Sequence, residues 1–381
     1  MIYFDNSATT AMSPEALRTY TDVATRIMGN PSSLHNLGTT ATRLLEASRR
    51  QIAELLSIEP HELFFTSGGT EGDNWVLKGV AFEKRPYGKH IIVSAIEHPA
   101  VKNTVAWLMS QGFDVDFAPV DADGFVKVAD LAELIREDTI LVSVMAVNNE
   151  IGSIQPIAEI SALLADKPTI SFHIDAVQGL GKIPVQDFLT ERVDFASFSA
   201  HKFHGPRGVG FVYIKSGKRL TPLLHGGGQE NNKRSTTENV AGIAAAARAL
   251  RSTLTDFTAK ADHVRAMKQI IFDELVKNDR IVLFSQMDKF APNILTFGIR
   301  GVRGEVVVHA FEQYEIYIST TSACSSKKNA AASTLMAMNV DGKIATSAVR
   351  ISLDATNTMA EIEQFLTIFK QIYQALEKVS H

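Results

Sequence analysis

The chain has 381 residues, 45% of them hydrophobic, with 38 Lys and Arg against 42 Asp and Glu for a formal net charge of −4; that length can bury a large core in one α/β domain or in a large and a small one. Composition without a basic excess argues against direct nucleic-acid binding, because neutralising phosphates takes a clustered Lys/Arg surface. Asp5 and Asn6 interrupt the N-terminus before an apolar leader can form, no stretch approaches the roughly 18 apolar residues of a membrane span, and the single cysteine, Cys324, cannot form an intramolecular disulfide or a zinc cluster. A cytoplasmic protein without a membrane segment is expected.

In chain order, short apolar and β-branched runs at 63–66, 90–96, 140–147, 170–174, 195–199 and 209–214 alternate with longer helical patterns. That alternation predicts βαβ units and one mostly parallel central sheet flanked by helices, with strands buried on both faces. A helical region over 239–276 leads into strands at 293–299, 316–319 and 349–353 and helices over 305–314 and 360–377, which read as a smaller C-terminal α/β domain. The expected division is a large domain over 15–255 and a small one made of 1–14 with 256–381.

In a parallel sheet the carboxyl ends of the strands share one edge, where ligands bind. His98 follows the second run, Asn149 the third, Asp175 and Gln178 the fourth, and Ser199, His201 and Lys202 the fifth. Each alone is an ordinary strand-end residue; together they aim polar groups at one crevice. The first run feeds Thr66-Ser67-Gly68-Gly69-Thr70-Glu71-Gly72 and then a helical pattern. Glycines admit an anion close to the backbone, and a helix N-terminus offers unpaired amides, so this turn reads as a phosphate cradle. It has neither the Gly-Lys-Ser/Thr ending of a P-loop nor a Gly-x-Gly-x-x-Gly turn. A lysine at a buried sheet edge loses pKa by desolvation and becomes a good Schiff-base nucleophile, and an aspartate beside it can pair with a protonated ring nitrogen. Tether, anion anchor and acid are together what pyridoxal 5′-phosphate requires. His201-x-x-His204 lacks a third ligand, so no metal is expected.

These residues lie in motifs that run the length of the chain: Tyr-Phe-Asp-Asn-Ser-Ala-Thr-Thr at 3–10, Asn-Pro-Ser-Ser-Leu-His at 30–35, the glycine turn at 66–74, Glu-His-Pro-Ala-Val at 97–101, Val-Asn-Asn-Glu-Ile-Gly at 147–152, Asp-Ala-Val-Gln at 175–178, the lysine segment at 197–205, Gly-Gly-Gly-Gln-Glu at 226–230, Ser-Ala-Cys-Ser-Ser at 322–326 and Val-Arg-Ile-Ser at 349–352. In them the sequence resembles the NifS/IscS-like cysteine desulfurases of the class V aminotransferase family. The resemblance implies a fold-type I pyridoxal-phosphate enzyme, a homodimer, that converts L-cysteine to L-alanine and passes the sulfur through an enzyme persulfide to an acceptor protein, for iron–sulfur clusters, tRNA thiolation or thio-cofactors. It implies Lys202 as the covalent tether, Asp175 on the pyridinium nitrogen, His98 stacked on the ring and moving a proton near the sulfur, and Gln178 and Asn149 near the phenolic oxygen. Gly69, Thr70, Ser199 and His201 would hold the phosphate with Thr237 of the neighbouring subunit, and Arg350 would clamp the substrate carboxylate with Asn30 and Asn149.

Cys324 would be the nucleophile that takes the sulfur. It stands among Thr320, Thr321, Ser322, Ser325, Ser326, Lys327 and Lys328, a polar stretch that reads as an exposed, mobile loop whose lysines favour the thiolate. A selenocysteine lyase or an aminotransferase would keep the pocket without sending sulfur through Cys324, and a non-catalytic pyridoxal-binding scaffold would bind cofactor without turnover. The chain departs from the family pattern where Thr236, Thr321 and Asp354 stand at common glycine positions and where 327–333 lacks a Glu-Pro-Ser helix start.

Overall fold

The computed structural model describes residues 1–321 and 333–379. After a short N-terminal strand β1 (Ile2–Tyr3), the strands β2 (Leu63–Thr66), β3 (His90–Ser94), β4 (Asp114–Ala118), β5 (Thr139–Ser143), β6 (Ser171–Asp175), β7 (Phe195–Ser199) and β8 (Gly210–Ile214) form one sheet in the order β2-β8-β7-β6-β5-β3-β4. The pairs from β7 to β4 are parallel, whereas β8 runs antiparallel to both β2 and β7. Alternate residues feed opposite faces, as the pleat requires: Phe64, Ile91, Val93, Leu141, Phe195 and Val212 pack with Trp75 and Val105 on one side, and Phe65, Ile92, Val142, Phe172, Phe198 and Phe211 pack with Ile243 and Leu250 on the other.

The sequence pattern had no strand at β4. Its Asp-Val-Asp-Phe-Ala leaves four of five residues partly or fully exposed, because an edge strand needs no apolar run and is protected by charge. The single helical region expected over 239–276 is two helices, Val240–Leu254 and Phe257–Leu275, broken at Asp256 with φ +53°.

A second sheet combines β9 (Ile281–Leu283), β10 (Ile294–Ile299), β12 (Ser319–Thr320) and β13 (Ala348–Ser352), all antiparallel, while β11 (Ile316–Tyr317) pairs in parallel with β1. The run expected over 316–319 is thus two strands serving two sheets. Its core is aromatic: Phe311 and Phe365 stack at 4.9 Å, with Phe4 and Phe369 against Phe365. The first 13 residues stitch the two units together, Asn6 N–H donating to Ser352 O, Thr10 N–H to His201 O and Ser13 N–H to His204 O. Among the described residues no helix is long and apolar enough to cross a membrane.

Lys268, on the helix Phe257–Leu275, is 1% exposed, and its Nζ donates to the carbonyls of Gln286 (2.9 Å) and Ala291 (3.1 Å). Burial and the charge of Arg265 push its pKa down to about 7. An unfolded lysine keeps its proton to about pH 10.4; between these values the unfolded chain binds more protons, so stability rises with pH. The unfolding free energy of wild type relative to Lys268→Met, from urea titrations, should therefore increase by about 1 kcal/mol per pH unit between pH 7 and 9; a flat difference would mean the folded amine stays charged.

Candidate active site

The crevice lies along the carboxyl edge of the main sheet. Beyond β2 the chain turns through Ser67 and Gly68 into the helix Gly69–Lys84. Gly68 adopts φ +156°, a conformation nearly confined to glycine. The turn lies flat on the sheet because β8 opens with Gly210: a Cβ there would stand 2.5 Å from Phe198 O and 2.6 Å from Gly68 Cα. The first amide bonded within the helix is that of Gly72, to Gly68 O, so the amides of Gly69, Thr70 and Glu71 project from the positive end of the helix dipole. Ser199, at the end of β7, closes one side of this cradle. The Glu71 carboxylate accepts from Ser67 N–H and holds Arg234 bidentately at 2.7 and 2.8 Å. His201 sits alongside, its Nδ1 3.1 Å from Thr9 Oγ1; burial, with the charges of Lys202 and Arg207, pushes its pKa down to about 4, so the ring is neutral.

Asp175, His98 and Lys202 meet in the centre and interact electrostatically with one another. Asp175 closes β6, 4% exposed, with Oδ1 accepting from Val177 N–H at 2.9 Å. Burial raises its pKa, and His98, the Val177 amide and Lys202 pull it back. His98 caps the helix Pro99–Ser110, Nδ1 accepting from Ala100 N–H at 3.1 Å, which leaves the ring proton on Nε2. Burial depresses its pKa, reinforced by Lys202 against Asp175. Lys202, on the turn after β7, donates from Nζ to Ser7 O (2.6 Å) and Ala8 O (2.8 Å). Gln178 donates to the same Ser7 carbonyl, while its Oε1 is buried with no partner among the described residues.

Arg350, on β13, brings the second sheet to the crevice. It donates to the Asn149 carbonyl at 2.7 Å and to Asp5 Oδ1 at 2.8 Å, with Nε buried and unpartnered among the described residues. Asn149 is thus placed beside the arginine. Asn30 is not drawn into this group: it is exposed, its Oδ1 accepting from Ser32 N–H. Thr237 is exposed and lines a small cleft with Ser67 and Arg234. Cys324, with the loop character assigned to it, lies outside the described residues. His201 and His204 use different partners, Thr9 for the first and Ala11 O with Asp354 for the second, so they do not form a pair.

Sequence reasoning missed the acids behind the crevice. Glu97 is fully enclosed, Oε1 accepting from Ser94 Oγ and Met145 N–H, and burial drives its pKa up to about 8. Asp73, raised by burial and by Asp175, faces the buried His173 at 3.7 Å. His173 bridges Ser143 and Ser197 and, held near pKa 3 by burial, is neutral. Glu97 and Asp73 stand inside the motifs at 97–101 and 66–74 with no role assigned to them there, and His173 lies two positions before the motif at 175–178. Asp5 had such a signal too, standing inside the N-terminal motif. Arg49, which clamps Glu230 at 2.7 and 2.9 Å and so fixes the 226–237 loop against Phe65 N–H, had none.

A doubly covered sheet that opens at this edge, with an amine facing an acid across it, is the arrangement of a fold-type I transferase, and the chain belongs to the aminotransferase class-V family, whose sequence profile matches residues 2–365. Enzymes of that family depend on pyridoxal phosphate. The chain is 55% identical to a NifS/IcsS protein homolog of Lactobacillus delbrueckii subsp. bulgaricus across 100% of this chain and 99% of the relative. It is 39% identical to the cysteine desulfurase IscS of Methanosarcina thermophila across 100% and 93%. Its fold superposes on a solved NifS-like protein with a TM-score of 0.92 at 39% identity, covering 98% of this chain and 99% of that one.

The Gly68–Gly210 contact makes the cradle sensitive to one methyl group. Gly210→Ala should cost about 1–3 kcal/mol of stability through backbone overlap and weaken pyridoxal-phosphate binding at least tenfold in a fluorescence titration; unchanged affinity would mean the cradle does not bear on the anion.

Proposed function

We propose that this chain is a pyridoxal-phosphate-dependent cysteine desulfurase that converts L-cysteine to L-alanine, retains the sulfur on Cys324 and passes it to an acceptor protein. The observation that carries the reading is the Lys202 amine, pinned by the Ser7 and Ala8 carbonyls and facing Asp175 and His98. The residues present fit the cofactor: helix amides at 69–71, an acid oxygen and the Gln178 acceptor that have no hydrogen-bond partner among the described residues. Gly69, Thr70, Ser199 and His201 would hold the phosphate, Asp175 the ring nitrogen, and His98, Asn149 and Gln178 the ring's face and edge. Bound there, pyridoxal phosphate supplies an electrophilic carbon for an amine and a ring that withdraws electron density from the substrate α-carbon.

The chain's own groups then divide the work. Arg350 binds the substrate carboxylate through its charged fork, and its pairing with Asp5 and Asn149 O fixes the direction in which the fork points. Lys202 Nζ moves the α-proton. Asp175, whose pKa burial raises while His98, the Val177 amide and Lys202 pull it back, would meet the ring nitrogen. His98, its pKa lowered by burial and its Nδ1 taken by the Ala100 amide, presents an Nε2–H that can donate a hydrogen bond to the substrate sulfur and steady it while the proton moves. The Cys324 thiolate forms an S–S bond to the substrate sulfur as the Cβ–S bond breaks, the electron pair staying with carbon, which is protonated to give alanine. The balance is L-cysteine plus enzyme thiol to L-alanine plus enzyme persulfide. The persulfide is reversible and transfers to another thiol.

Purified protein with L-cysteine and a thiol reductant should release L-alanine. Cys324→Ala should keep bound cofactor and lose at least a hundredfold in rate, and Lys202→Ala should lose turnover altogether. Equal rates for wild type and Cys324→Ala would remove the sulfur-carrier role and favour a lyase. We further propose a homodimer in which Thr237 completes the neighbour's phosphate site, supported by its exposure on its own subunit. Light scattering at micromolar concentration should give twice the chain mass, and a monomer with full activity would contradict it.

A further inference from the structure

We infer that Asp354 is a positioning residue: an ionic latch that sets the spacing between the Lys202 turn and the Arg350 strand. The role in catalysis rests on the desulfurase reading above, since it is L-cysteine that must reach both groups at once. Asp354 lies just beyond β13, four residues from Arg350, and is 6% exposed. Its Oδ2 accepts from His204 Nε2 at 2.9 Å and stands 3.8 Å from Lys182 Nζ. Its Oδ1 accepts from the Thr356 amide and hydroxyl at 3.0 and 2.9 Å, and its own amide donates to Asn357 Oδ1. Against the upward push of burial, the His204 bond and the Lys182 charge hold this carboxyl well below the usual range.

His204 is two residues beyond Lys202 and occupies φ +64°, unfavourable for a residue with a Cβ and kept only where surroundings impose it. Those surroundings are the N-terminal segment and Asp354. The His204 amide donates to Thr10 Oγ1, its carbonyl accepts from Ser13 N–H, and its Nδ1 meets Ala11 O at 3.0 Å. Both ring nitrogens therefore face acceptors. The same N-terminal segment supplies the two carbonyls that hold Lys202 Nζ and is tied to Ser352 on β13 through Asn6 and Ser7. Asn357, held by Asp354, also bonds Asn6 and Tyr3. Asp354 thus closes a loop of contacts that runs from the lysine turn through the N-terminal segment to the arginine strand. It stands in the wall of a cavity of about 810 Å³ lined also by Lys182, His204 and Asn293, so truncation enlarges a space already present instead of opening a void in the core.

The test compares wild type, Asp354→Gly, His204→Gln and the double variant as full-length holoenzymes. Each single change should raise KM for L-cysteine about tenfold with kcat within twofold, the signature of lost substrate positioning, and the double variant should be no worse than either single one. Independently of turnover, hydrogen–deuterium exchange of the amides of Asn6, Thr10 and Ser13 should quicken at least tenfold in Asp354→Gly. Wild-type KM in both single variants, additive KM effects in the double, or unchanged exchange would each overturn the latch. Should Asp354→Gly fail to fold, His204→Gln decides by the same KM and exchange readouts. If wild type itself released no alanine, the desulfurase reading would fall while the exchange measurement still judged the latch.

Discussion

An amine at the buried edge of a sheet must find acceptors or give up its charge, and much of this architecture follows from how Lys202 finds them. The carbonyls of Ser7 and Ala8 reach it only because the N-terminal segment is fastened at both ends, to β11 and β13 on one side and to the His201–His204 turn on the other. Between Asp5 and Ser13 the segment forms neither helix nor strand; apart from the local bonds of Ala8 and Thr9 to Asp5 O, amides at Asn6, Thr10 and Ser13 are satisfied by the two units it joins, which is why it lies where it does.

Around that amine, charge is kept scarce by burial. Glu97 and Asp73 are raised, His173 is lowered, and each thereby sheds an ionisation that would have to be solvated in the core. Asp175 is raised as well, but His98, Val177 N–H and Lys202 oppose the shift. At the crevice, neighbouring charge therefore works against burial, and the polar groups behind it are tied into hydrogen bonds across β5, β6 and β7. Arg350 obeys the same rule with an explicit counter-ion in Asp5. The substrate carboxylate would enter as a second anion on an arginine already partnered, which makes the geometry of the fork, more than its bare charge, the determinant of fit.

What was legible in the sequence was what depends on local pattern. Continuous apolar runs announced strands covered on both faces, and the central ones lie where the pattern put them. The glycines at 68 and 69 announced a turn into a helix N-terminus. The motifs were sufficient to recognise the family, because each keeps residue type and spacing where the chain must present a particular group at a strand end. The edge strand β4 escaped, since solvent on its outer side removes the apolar signal. So did the break at Asp256, which a helical periodicity passes over when the interruption is two residues long.

The sequence by itself determined the fold class, the family and the strand ends from which chemistry projects, because these are carried by periodicity and by residues close together in the chain. Tertiary structure alone decided who faces whom: that Asp5 pairs with Arg350 and Arg49 with Glu230, that Asp354 reaches His204, and that Asn30 stands apart from the arginine. Those pairings join residues 150 to 345 positions apart, and their energies depend on how far each group is desolvated where it comes to rest, a quantity that exists only once the chain has folded around it.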